Sequence, residues 1–254
     1  MHHHGEISSQ RLLWVTLINL LITVAEVIGG MVTGSMALLS DSAHNLSDTV
    51  SIVLSYTALR IARRTATPRR SYGYKRAEIL AAFLNSLFLL LISAYLIYEA
   101  ILRFYRPEHI DGEWMLFIAA GGLAGNLLCV LLLHQHAEES LNIRSGYLHL
   151  VADTLSSMGV VLGAVILIFL PAWTWIDPLV SLLISFYIIR ESKTIFLRTL
   201  DILMQSSAEL DFEEIKRSVE AIDGVENIHH VHTWLANERT IHFEAHVELE
   251  DMLL

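Results

Sequence analysis

Cysteine is almost absent. Cys129 is the single one among 254 residues, which excludes a disulfide framework and a thiolate metal cluster. Proline is nearly as scarce, with four residues, so the chain is neither collagen-like nor a Pro-rich disordered segment. Charged residues make up only 17% against 54% hydrophobic, whereas a soluble globular domain carries about a quarter charged. A single water-soluble enzyme is therefore a poor description. Basic residues are scarcest in residues 201–254, where 3 stand against 13 acidic ones, while residues 1–200 carry 14 of each. The whole formal net charge of −10 thus lies in the tail. Nucleic-acid affinity comes from Lys and Arg neutralising phosphates, so no nucleic-acid partner is expected.

What the chain has instead is long apolar runs. Six stand out, at roughly 12–33, 36–59, 78–102, 114–134, 143–170 and 177–197. Each reaches the ~20 residues a helix needs to cross the hydrocarbon layer, and backbone in lipid must satisfy its own hydrogen bonds, so the spans are predicted to be helices. No small-residue cleavage site follows the first run and further runs come at once, which argues against a signal peptide. The connection between the second and third runs carries Arg60, Arg63, Arg64, Arg69, Arg70, Lys75 and Arg76. The opposite side carries only Arg103 and Arg106. The positive-inside rule then places both termini in the cytoplasm, with the lipid bilayer as the solvent of the spans. The expected organisation is a cytoplasmic N-terminal tail at 1–10, a six-helix transmembrane domain at 11–200, and a cytoplasmic α/β domain at 201–254.

In the tail, Phe212, Ile215, Val219 and Ile222 recur at helical spacing before Asp223-Gly224. Residues 227–235 and 240–249 read as strands joined by a turn at Asn237-Glu238. In the second, Ile241, Phe243, Ala245, Val247 and Leu249 alternate with polar residues, the pattern of a half-buried strand. One helix and two strands make a thin core, so the domain reads as partial.

Ionisable residues inside a span are expensive and call for a functional reading. The second span contains His44-x-x-x-Asp48 and the fifth contains His149-x-x-x-Asp153. An i,i+4 pair shares one helix face, so each span presents one imidazole and one carboxylate together. Two such faces supply the four nitrogen and oxygen donors of a tetrahedral Zn²⁺ site. Entering from opposite sides at 1.5 Å per residue, the first pair lies about 12–18 Å deep and the second about 9–15 Å. Both depths fall near the middle of a core of about 30 Å. The alternative is a pair of hydrogen-bonded polar patches that hold helices together. Close helix packing is the expectation for Gly159 and Gly163, and a packing hydrogen bond for Glu26 and Asn19, which share a face of the first span.

These residues carry a resemblance. The run Gly34 to Asp48 (GSMALLSDSAHNLSD), the run Tyr72 to Glu78 (YGYKRAE), His149-x-x-x-Asp153, Asp177-Pro178 and His229 to Trp234 (HHVHTW) occur in order. The sequence resembles the cation diffusion facilitators, in particular their zinc-transporting branch of bacterial zinc/proton antiporters, from about Arg11 to Asp251. The resemblance implies a homodimer in a bacterial inner (plasma) membrane that exports Zn²⁺, with Cd²⁺ as a further cargo, in exchange for protons. It implies alternating access around His44, Asp48, His149 and Asp153 as transport ligands, and a ferredoxin-like cytoplasmic domain with a second Zn²⁺ site at His229 and His246. The family's domain continues for another helix and strand, so a C-terminally truncated form is expected. Some members bind metal in the loop between the second and third spans. Residues 60–77 contain no His, Asp or Glu, so no site is expected there.

Other readings stay open on the residues alone. His2, His3 and His4 are a metal-collecting tract or a tag remnant; His134 and His136 read as a solvated loop, with transient metal capture as the alternative, and His109 as incidental. Arg76 and Asp201 fall at one membrane surface and are candidates for an ion pair. A membrane-anchored metal sensor would leave two matched intramembrane pairs without a reason. An intramembrane metalloenzyme needs an open coordination position and a general base that is not a ligand. The chain has no His-Glu-x-x-His, and no enzymatic activity is expected.

Overall fold

The computed structural model describes residues 9–134, 141–208, 210–237 and 240–249. Six long helices come first: α1 (Ser9–Thr33), α2 (Met36–Ala62), α3 (Ala77–Tyr105), α4 (Gly112–His134), α5 (Leu141–Phe169) and α6 (Ile176–Leu203). A short helix α7 (Phe212–Glu220) and two antiparallel strands, β1 (Val225–Leu235) and β2 (Ile241–Leu249), follow. The chain forms two compact units: one from the described residues through Val53 together with Asn85–Lys193, the other from Leu54–Leu84 together with the described residues from Thr194 on. His2, His3, His4 and His136 lie outside the described residues, as does Glu238 of the expected turn.

Six long helices were expected and six are present, but among the described residues four are long and apolar enough to cross a membrane by length and composition alone: Thr16–Thr33 in α1, all of α3, Gly112–Leu132 in α4 and Tyr147–Phe169 in α5. The other two, α2 and α6, are too polar for that test. Many of their polar residues point inward. Ser40, Asp41, Ser42, His44, Asn45 and Ser47 of α2 are buried, and so are Asp177, Ser181, Ser185 and Ser192 of α6. Large apolar side chains such as Met31, Phe117, Leu183 and Phe186 stand exposed. This inside-out distribution suits helices whose outer surface meets lipid.

In the first unit, a core of Leu38, Met115, Ala119, Val160, Ala164, Leu167 and Ile188 joins α2, α4, α5 and α6. Close backbone approach lies elsewhere than expected. A Cβ added at Gly159 would meet nothing within 4 Å, and one at Gly163 only ordinary contacts with Ile176 and Val180. The tight crossing is between α1 and α4, where a Cβ on Gly122 would collide with Glu26 Oε1 and one on Gly125 with Ile22. Helix α1 ends at Gly34, whose φ of 75° few other residues adopt. Glu26 makes its packing hydrogen bond to α2: Asn45 Nδ2 donates to Glu26 Oε2 at 3.0 Å. Asn19 Oδ1 is buried without a partner among the described residues.

In the second unit, α6 runs to Leu203, past the expected end at 197. Gln205 and Ser206 close it with backbone bonds to Ile202 and Asp201, a Schellman arrangement with Gln205 at φ 60° where glycine is usual. Asp211 caps α7 by accepting from Glu214 N at 3.0 Å. The strand register pairs His229 with His246, Thr233 with Phe243 and Trp234 with His242, and it slips between His229 and His232. At that bulge His230 has φ 51°. The described residues show no ion pair between Arg76 and Asp201.

Candidate metal centre

Helix α2 carries His44 and Asp48 one turn apart, and α5 carries His149 and Asp153 in the same relation. Across the two helices His44 Nε2 lies 3.2 Å from Asp153 Oδ1, and His149 Nε2 lies 3.0 Å from Asp48 Oδ2. Within each helix the corresponding distances are 3.9 Å and 3.8 Å. The imidazole centroids are 5.5 Å apart. One donor atom from each of the four side chains falls within 4.8 Å of all the others.

That spacing has a chemical meaning. Ligands held about 2.0–2.1 Å from a tetrahedral zinc lie about 3.3–3.4 Å from one another. The four nitrogen–oxygen separations of 3.0–3.9 Å bracket that edge. The two imidazoles present Nε2 toward the carboxylates, while His44 Nδ1 is buried with no hydrogen-bond partner. Tyr187 of α6 turns its ring edge-on to His44 at 6.0 Å, and its hydroxyl donates to Glu191 Oε1 at 2.8 Å. The cluster is exposed on one edge only: the side chains of His149 and Asp48 are 38% and 27% exposed, those of His44 and Asp153 6% and 3%.

The chain matches the cation efflux transmembrane domain over residues 12–204 and the cytoplasmic domain of cation efflux proteins over residues 208–254. It belongs to the cation efflux family. The zinc transporter ZitB of Pectobacterium atrosepticum is 39% identical over 251 residues, which cover 96% of this chain and 78% of that protein. The cadmium, cobalt and zinc/H(+)-K(+) antiporter of Bacillus subtilis is 37% identical, with 99% and 82% covered. ZitB of Escherichia coli is 35% identical, with 98% and 82% covered. The cation efflux family is one of integral membrane transporters, not enzymes.

Around the tetrad of this cation efflux protein lies a second layer that the sequence reading left without a role. Asp41, 2% exposed, accepts Ser156 Oγ at 2.6 Å and Ser157 Oγ at 2.8 Å. Asn126 of α4 donates in turn to Ser157 at 3.0 Å. This network ties α2 and α5 together beside the faces that carry the tetrad. A signal was available: Asp41, His44 and Asp48 follow at spacings of three and four, one face of one helix.

A second donor cluster sits on the β1–β2 sheet. His229 and His246 were the expected pair, and the structure brings His230 to them, with one ligand atom from each within 4.8 Å of the others. Adjacent strand residues normally face opposite sides. The bulge and the positive φ at His230 cancel that alternation, so the His229 and His230 rings meet at 4.9 Å. His229 Nδ1 is buried without a hydrogen-bond partner among the described residues, and Glu248 Oε1 lies 3.9 Å from it. His232 and His242 are not in this cluster, and His109 is exposed, away from either one.

Proposed function

We propose that this protein exports Zn²⁺ from the cytoplasm in exchange for protons, by alternating access around His44, Asp48, His149 and Asp153. The observation that carries this reading is the convergence of two imidazole nitrogens and two carboxylate oxygens between α2 and α5 at tetrahedral spacing. Two nitrogens with two oxygens suit Zn²⁺. Cd²⁺ is a second cargo on this reading; the relatives named above as zinc transporters and as a cadmium, cobalt and zinc antiporter support both.

Coupling follows from the donors. Imidazole and carboxylate bind metal only when deprotonated, so metal and protons compete for the same four side chains. Protonation on the outer side releases the ion, and deprotonation on the cytoplasmic side readies the site again. Asp48 lies beyond His44 toward the cytoplasmic end of α2, and His149 precedes Asp153 near the cytoplasmic start of α5 in the topology proposed. The exposed edge of the tetrad, at His149 and Asp48, is then the side from which cytoplasmic metal reaches it.

On this reading both termini are cytoplasmic, the membrane is a bacterial inner membrane, and the protein acts as a homodimer through its tail domain. His229, His230 and His246 would hold a further Zn²⁺ through three imidazole nitrogens, and the buried, unpartnered His229 Nδ1 fits a ligand role.

Zn²⁺ uptake into proteoliposomes tests the proposal. A lumen more acidic than the bath is expected to accelerate uptake as protons leave, and an ionophore that collapses the gradient should remove the acceleration. Equal rates with and without the gradient would overturn proton coupling.

A further inference from the structure

A pocket of about 660 Å³ opens in the second unit between the loop joining α2 to α3, the end of α6 and the β1–β2 sheet. Its size falls in the range of small-ligand sites. Arg69, Arg70, Lys75 and Arg76 all line it, and no carboxylate does among the described residues. None of these four cations makes an ion pair within the described residues. In a chain of net charge −10, four cations around one cavity with no ion-pair partner among the described residues need an explanation.

The rest of the lining indicates the kind of ligand. Tyr72 stands edge-on to His242 at 4.9 Å, and His242 stacks on Trp234 at 5.4 Å, forming an aromatic wall. Arg70 lies over the Tyr74 ring at 4.8 Å, which fixes its guanidinium at the rim. Ile61, Leu80 and Leu203, at the ends of α2, α3 and α6, add apolar lining. Cations, aromatic wall and apolar residues together suit a molecule with a charged phosphate head and an apolar body. Arg forks match phosphate oxygens in pairs, and basic pockets at the cytoplasmic ends of membrane helices take lipid headgroups.

We propose that this pocket binds a phosphate-bearing anion, with the headgroup of an anionic phospholipid as its source. The site is separate from the metal centre and does not depend on transport. Bulk positive-inside charge does not account for it, because Arg63 and Arg64 of the same loop, and Arg60 in the last turn of α2, do not line the pocket.

The test is calorimetric titration of the full chain in detergent with three probes: dihexanoylphosphatidylglycerol, dihexanoylphosphatidylcholine and inorganic phosphate. The glycerol lipid is expected to bind at least about ten-fold tighter than the choline lipid. Arg69→Gln with Arg70→Gln should weaken it roughly ten- to thirty-fold, whereas Arg63→Gln with Arg64→Gln should change it by less than about two-fold. Should the first double variant fail to fold, Lys75→Gln and Tyr72→Ala, each alone, carry the same comparison. Inorganic phosphate separates the sources: binding as tight as the glycerol lipid's assigns the site to a soluble phosphate, and much weaker binding assigns it to the headgroup. Equal affinity for the two lipids, or equal losses in the two double variants, would overturn the site.

Discussion

Asp177 Oδ2 accepts the backbone N–H of Met36 at 2.8 Å, so the carboxylate near the start of α6 closes the N-terminus of α2. Its other oxygen accepts Ala37 N at 3.2 Å and the Ser35 hydroxyl at 2.5 Å. The first N–H groups of a helix have no partners within it, and leaving them unpaired in a buried position is costly; Ser35 Oγ accepts Leu38 N at 3.2 Å, and Asp177 takes the two before it. Asp177 is fully buried and also favours the positive end of the helix dipole. The helix that carries His44 and Asp48 is thereby anchored at one end by α6.

Asp177→Ala is expected to destabilise the protein by about 2–4 kcal/mol, since it strands three buried donors at once. Thermal unfolding of the detergent-solubilised protein measures this. Wild-type stability in Asp177→Ala would show that the N-terminus of α2 is satisfied by other means.

Much of this was legible in the sequence because it is local. The four-residue spacing of His44 with Asp48, and of His149 with Asp153, sets each pair on a helix face whatever the rest of the fold does. The alternation from Ile241 to Leu249 reads directly as β2. Relationships that join distant positions were not legible. Asp177 and Met36 are 141 residues apart, and no periodicity connects them. The assembly of His230 with His229 and His246 depends on a bulge, which exists only once β1 is paired with β2. Gly159 and Gly163 show the converse: their spacing was visible, but a neighbouring helix approaches closely at Gly122 and Gly125 of α4 instead.

His230→Ala should weaken zinc binding at the site proposed for the tail by about ten-fold or more, because it removes one of the three nitrogen donors brought together there. Zinc titration of the full chain in an Asp153→Asn background isolates that site from the membrane tetrad. An unchanged dissociation constant would leave His229 and His246 to act without it.

His44→Asp is expected to relax selectivity toward Mn²⁺ and Cd²⁺. Imidazole suits Zn²⁺, whereas carboxylate-rich sites suit harder ions such as Mn²⁺, and a carboxylate can offer the larger Cd²⁺ two oxygens where a ring offers one nitrogen. Competitive uptake of the three ions by wild type and variant reads the change. An unaltered ranking would mean that His44 does not contact the transported ion.

The most direct test of the proposed transport site is the rate of Zn²⁺ uptake by Asp48→Asn and by Asp153→Asn in proteoliposomes, each first checked for wild-type helicity. Asparagine keeps the shape of the side chain and removes its charge, so a loss reports on binding rather than packing. Uptake is expected to fall by at least about 100-fold in each, in line with some 2.7 kcal/mol for a buried charged ligand. Wild-type rates in either folded variant would contradict a four-ligand site formed by His44, Asp48, His149 and Asp153.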